Sequence, residues 1–140
     1  MKKVLALLMF VVVLMGLTAC SGQSAQVDVG IVLPTKDEPR WVQDETRFRE
    51  ALKDTEYSVE ILFSQGSSAK EKENVDALIA KGIKTLIICP HDGGAAAAAV
   101  EAAKAVEINV ISYDRLITDT EAVDYYVTFD SIAVGEAQAQ

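Results

Sequence analysis

The 140-residue chain carries 13 basic and 21 acidic side chains, a net charge of −8. That balance argues against a nucleic-acid partner, because neutralising phosphates needs clustered Lys and Arg. It also argues against electrostatic attraction to an anionic membrane. With two cysteines and one histidine, a multi-bridge disulfide framework and a histidine-rich metal site are both excluded.

Lys2 and Lys3 precede an apolar run from Val4 to Leu17 that ends in small residues. Residues 1–19 therefore read as a secretory signal peptide, too short in its apolar part to span a membrane. Leu17-Thr18-Ala19-Cys20 resembles the lipobox of bacterial lipoproteins, which implies cleavage before Cys20 and lipidation of its thiol. The expected location is extracytoplasmic, on the cell membrane through a lipid anchor. An ordinary secretory leader with an incidental Cys20 is the alternative. Residues 20–26 then form the lipidated Cys and a small, polar tether.

Residues 27–140 alternate between strand and helix patterns. Val27 to Leu33 is a β-rich run closed by Pro34, and Trp41 to Thr55 is helical with Phe48, Ala51 and Leu52 on one face. Ser58 to Phe63 is a second strand. Ala69 to Lys81 is a second helix, striped by Val75, Leu78 and Ile79 and stopped by Gly82. Thr85 to Cys89 is a third strand, in which Cys89 reads as a buried structural thiol. Ala95 to Val106 is a thin, alanine-rich helix suited to close packing on a sheet. Asn109 to Tyr113 and Tyr125 to Phe129 are further strands, and Asp130 or Ser131 opens a last helix. This alternation implies an α/β fold of three αβα layers around a mostly parallel sheet.

In such sheets ligands bind beyond the carboxyl ends of the strands, so the residues following each strand are the site candidates. They include Arg40 and Trp41 after the first, His91 and Asp92 after the third, Asp114 and Arg115 after the fourth, and Asp130 after the fifth. Carboxylates and guanidinium forks bond hydroxyls and ring oxygens, and an indole covers the apolar face of a pyranose. Arg40, Trp41, Asp114 and Arg115 thus suit a neutral, polyhydroxylated ligand. As an ordinary core residue Trp41 would serve its helix, and Asp114 with Arg115 would be a surface pair. His91 and Asp92, adjacent on a turn, read as solvated or capping. Asp119, Glu121 and Asp124 read as a solvated acidic loop rather than a metal site. No P-loop, dinucleotide fingerprint or nucleophile elbow is present, so no cofactor, metal or catalytic residue is expected and an enzyme is disfavoured.

Arg40-Trp41, the stretch Ile111 to Ile117 with its Tyr113-Asp114-Arg115 core, and Tyr125 to Asp130 together resemble type I periplasmic sugar-binding proteins of ABC importers, of the xylose-binding and multiple-monosaccharide-binding kind. The resemblance covers Val27 to Gln140 and is to the N-terminal lobe alone. It implies a solute-binding protein for a monosaccharide such as xylose or galactose, with ABC permease subunits as partners and a chemosensory or two-component sensor as a further one. It implies that Asp114 and Arg115 bind sugar hydroxyls and ring oxygen, that Arg40 donates and Trp41 stacks, and that His91, Asp92 and Asp130 border the cleft.

Members of that family trap sugar between two lobes, so residues 27–140 would offer half a site and bind poorly alone. A truncated or partial product is therefore expected. Glu56 and Glu107 stand at helix ends where Gly is favoured because the backbone turns left-handed, at roughly 1 kcal/mol each. Two other readings are the ligand core of a sugar-responsive repressor and an inert fragment. The leader and the lack of an N-terminal helix-turn-helix disfavour the repressor.

Overall fold

A computed structural model describes residues 26–140, so the leader, Cys20 and all but the last residue of the tether lie outside the described residues. The elements run β1 (Val29–Leu33), α1 (Pro39–Leu52), β2 (Val59–Phe63), α2 (Ser68–Ala80), β3 (Thr85–Ile88), α3 (Ala97–Lys104), β4 (Asn109–Tyr113), β5 (Tyr125–Val127) and α4 (Ser131–Gln138). All five strands are parallel, in the order β2-β1-β3-β4-β5. This is the expected α/β fold.

Period-two alternation along the central strands divides the core between two faces. Val32, Leu86, Ile88 and Val110 pack with Val75 and Leu78 of α2 and Val100 and Ala103 of α3. Ile31, Leu33, Ile61 and Cys89 pack with Trp41, and with Phe48 and Leu52 of α1. A Cβ at Gly30 would stand 2.9 Å from Leu78 Cδ1, so glycine lets α2 lie close against β1. Ala96, Ala99 and Ala103 are all buried, as a thin helix requires. Cys89 is buried and makes no disulfide among the described residues, and burial pushes its thiol up to about 12.

Several boundaries differ from the sequence pattern for local reasons. α1 begins two residues early, at Pro39, whose fixed φ suits the first helical position. The first strand begins two residues late because the amides of Asp28 and Val29 both donate to the Ser58 carbonyl oxygen. Asp124 is not simply solvated. It pairs with Lys104 and accepts from the Val110 amide at 2.8 Å, tying the β4–β5 connection to α3. Glu107 has φ 62°, as expected of a left-handed helix end, whereas Glu56 does not adopt positive φ. α1 has already ended at Leu52, four residues before Glu56, so the reversal there is made by ordinary turn residues.

Candidate functional site

In a sheet ordered 2-1-3-4-5 the connections leave β1 and β3 toward opposite sides, which opens a crevice at their carboxyl ends. The first turn of α1 enters from the β1 side. Trp41 is 1% exposed there, and its indole Nε1 donates to Glu38 Oε2 at 3.2 Å. Two guanidinium groups lie over the ring, Arg40 at 4.4 Å and Arg115 at 5.4 Å from its centroid. The ring is a buried platform that presents two cations, the placement expected of a core residue of α1.

Arg40 Nη2 donates to Asp114 Oδ1 at 2.5 Å, joining the first turn of α1 to the end of β4. That bond to Asp114 holds the Arg40 guanidinium above its usual range. The Arg40 side chain is half exposed, while that of Asp114 is largely covered. Asp114 itself has φ 66°. The Arg115 amide donates to the Tyr113 carbonyl at 2.7 Å, closing a three-residue γ-turn around Asp114. The Asp114 amide donates to Val127 O at 2.8 Å, and its carbonyl accepts from Tyr126 OH and Thr128 Oγ1. Left-handed backbone in a non-glycine residue costs about 1–3 kcal/mol and persists only where its surroundings over-determine it. Two backbone–backbone bonds and two hydroxyl donors do so here, and they aim this one carboxylate.

Arg115 Nη1 donates to Pro90 O at 3.1 Å, tying the β4 end to the β3 end. The β3 loop is held from beneath as well. The His91 amide donates to Glu71 Oε2 at 2.8 Å, leaving the imidazole exposed at the surface. Asp92 Oδ1 accepts from the Ala95 amide at 2.8 Å, a local bond within the turn that precedes α3, whose own N-cap is Ala96. A Cβ at Gly93 would meet Leu116 O at 2.5 Å, so glycine permits the β3 and β4 loops to touch. Asp130 Oδ1 accepts from the amides of Ile132 and Ala133, capping α4. The structure thus brings Arg40, Trp41, Asp114 and Arg115 into one cluster. Asp92 is engaged in a local turn bond and Asp130 in the cap of α4.

A shallow cleft of about 210 Å³ opens beside the cluster, lined by Arg40, Tyr113, Asp114, Val127, Thr128 and Phe129, smaller than a pocket that encloses its ligand on all sides. Asp114 Oδ1 is taken by Arg40, and no hydrogen bond among the described residues occupies Oδ2. The cleft therefore offers a carboxylate oxygen, a half-exposed guanidinium, a hydroxyl and an aromatic ring, a set for hydroxyl recognition. Among the described residues no group of three or more His, Cys, Asp or Glu side chains could hold a metal ion.

Two residues escaped the sequence reading. Asp44 is 3% exposed and accepts from Arg47 Nη1 and Tyr113 OH, both at 3.2 Å. Its spacing of four from Arg40 on one helix was an available signal. Glu71 is 1% exposed, and burial raises its carboxyl to about 7. It sits in the polar run Lys70-Glu71-Lys72-Glu73, which gave no hint of burial.

The sequence matches the periplasmic binding protein domain family over residues 29–140. It is 35% identical over 111 residues to the multiple sugar-binding periplasmic receptor ChvE of Rhizobium radiobacter, covering 79% of this chain and 31% of that protein. It is 28% identical over 124 residues to the D-xylose-binding periplasmic protein of Escherichia coli K12, covering 89% of this chain and 37% of that protein. A carbohydrate transporter solute-binding protein from Chloroflexus aurantiacus, solved in complex with D-glucose, is 79% identical with a TM-score of 0.77. That match covers 84% of this chain and 34% of the solved one. This chain therefore spans about a third of the length of these relatives. The parallel order 2-1-3-4-5, the cleft at its carboxyl edge and a family match over residues 29–140 agree: the chain belongs to the periplasmic binding protein family.

Proposed function

We propose that residues 27–140 form the N-terminal lobe of an extracytoplasmic receptor that captures a neutral monosaccharide for an ABC importer. In this reading residues 1–19 are a lipoprotein leader, Cys20 carries the lipid and residues 20–26 are the tether. The observation that carries it is the Arg40–Asp114 pair, seated on buried Trp41 and built into the strained turn at the end of β4. An aldohexose is the favoured ligand, because the 79%-identical relative was solved with D-glucose. Asp114 Oδ2 and the exposed edge of Arg40 would bond its hydroxyls, with Arg115 held beside them by Pro90 O. His91, Asp92 and Asp130 are assigned to the rim of the cleft. Capture is by binding alone, with no covalent chemistry. Permease subunits are the partners of such a receptor. A sensor is a further one, since the fructose-binding periplasmic domain of hybrid two-component system BT1754 is 26% identical with a TM-score of 0.68.

The test is isothermal titration with D-glucose and a monosaccharide panel. It uses residues 21–140 alone and the same chain continued through the second lobe of the Chloroflexus aurantiacus relative. Saturable binding is expected in the continued chain and much weaker binding in the short one. Asp114→Ala should lower affinity by roughly 100-fold or more, the scale of losing a charge-assisted bond. Unchanged affinity would remove Asp114 from the site. For the anchor, Cys20→Ser should release the protein from the membrane fraction, and continued retention would refute lipidation at that residue.

A further inference from the structure

We propose that Asp44, which lies behind the cleft, is the positioning residue that locks Arg40 into its ligand-facing arrangement; the inference rests on the monosaccharide reading above. Arg40, Asp44 and Arg47 follow one another on one face of α1, at spacings of four and three. Asp44 Oδ1 accepts from Arg47 Nη1 at 3.2 Å. Asp44 Oδ2 accepts from Tyr113 OH at 3.2 Å and lies 3.6 Å from Arg40 Nε. At 3% exposure a carboxylate is retained only when its charge is matched. Here two guanidinium groups and a phenol surround it.

Arg40 is consequently fixed on three sides. Asp44 faces its Nε, Asp114 takes its Nη2, and the Trp41 ring lies against its plane. A half-exposed arginine held this way is ordered before ligand arrives, so binding need not freeze its rotamers. Tyr113 closes the link. It precedes Asp114 in the chain, packs edge-on against Phe48 of α1 at 5.3 Å, and donates to Asp44. Tyr113 thereby helps to fix the buried carboxylate that faces Arg40. Burial and the neighbouring Asp44 charge also raise the Tyr113 phenol, which supplies a second readout.

The experiment is a double-mutant cycle in the continued chain, read by D-glucose titration. Asp44→Asn should lower affinity about tenfold. Arg40→Lys keeps a cation and lacks the Nε–H that faces Asp44, so in that background Asp44→Asn should change affinity less than about twofold. Equal losses in both backgrounds would show a general packing role and overturn the proposal. Tyr113→Phe removes only the phenol donor. It should cost about threefold with Arg40 present and nothing with Arg40→Lys, which keeps the test alive should Asp44→Asn not fold. Ultraviolet titration of tyrosine ionisation in the 140-residue chain separates the two hypotheses. Asp44→Asn should move the transition that Tyr113→Phe removes to lower pH, and an unmoved transition would overturn the contact itself. Absence of any saccharide binding by the continued wild type would instead overturn the monosaccharide reading.

Discussion

Asp114 and Glu107 both hold φ above +60°, and only one of them is assigned a task. At Asp114 two backbone–backbone bonds and the hydroxyls of Tyr126 and Thr128 maintain the turn, and the carboxylate it aims is engaged by Arg40. At Glu107 the backbone reverses after α3, and its amide donates to Lys104 O at 3.0 Å. The Glu107 side chain is exposed and makes no hydrogen bond among the described residues. Gly82, with φ 75°, makes the corresponding turn after α2 without a Cβ penalty. Glu107→Gly should therefore stabilise the fold by about 1 kcal/mol, the penalty of left-handed backbone for a residue with a Cβ. Thermal melts should show a rise of roughly 4 °C for a domain of this size. Glu56→Gly is the matching control. Its backbone is not left-handed, so it should leave the melting temperature unchanged or lower it. An equal rise in both variants would mean that left-handed strain at Glu107 is not the cause.

The loop between β3 and α3 depends on α2 beneath it. Glu71 Oε2 accepts from the His91 amide, while Oε1 is buried without a partner among the described residues. Burial disfavours the charged form and raises the carboxyl to about 7. The His91 amide and the Arg115 charge act in the opposite direction, and Asp92 adds to the rise. A carboxyl whose folded-state value lies above its usual 4.5 binds its proton more tightly when folded. Its stabilising contribution is then complete below about pH 4.5 and is lost as pH rises through about 7. Melting temperature should accordingly fall by several degrees between pH 5 and pH 8. Glu71→Gln, which keeps an acceptor for the His91 amide and cannot ionise, should flatten that slope. A slope unchanged in Glu71→Gln would assign the pH dependence to other groups. The sequence hides this element because its charges alternate with lysines as on a solvated helix. Only the packing of α2 on β1, close enough to require Gly30, turns one of them inward.

At the scale of the whole molecule, the sequence carried most of the sheet and only part of the site. Apolar runs marked all five strands, and β4 was placed to the residue, because a parallel sheet covered on both faces leaves near-continuous hydrophobic segments. The Arg40-Trp41 and Tyr113-Asp114-Arg115 signatures located the cluster. They did not reveal that Trp41 would be covered by guanidinium groups or that Asp44 would be drawn in, since both depend on how α1 docks against β4. What the pattern signalled least is the outer edge. β5 is short, its three residues are all exposed, and among the described residues it pairs with β4 alone. Tyr125, Tyr126, Val127, Phe129, Ile132 and Val134 together expose apolar surface along this strand and α4. An unpaired edge beside such a patch invites strand addition or self-association. Residues 26–140 expressed alone should therefore bind a hydrophobic dye and show concentration-dependent association in sedimentation. Val127→Lys, which places a charge on the edge strand, should reduce both signals. The chain continued through a second lobe should show neither if that lobe covers the β5 and α4 surface. A short form that stays monomeric and dye-silent at high concentration would mean that α4 folds back to shield this edge in solution.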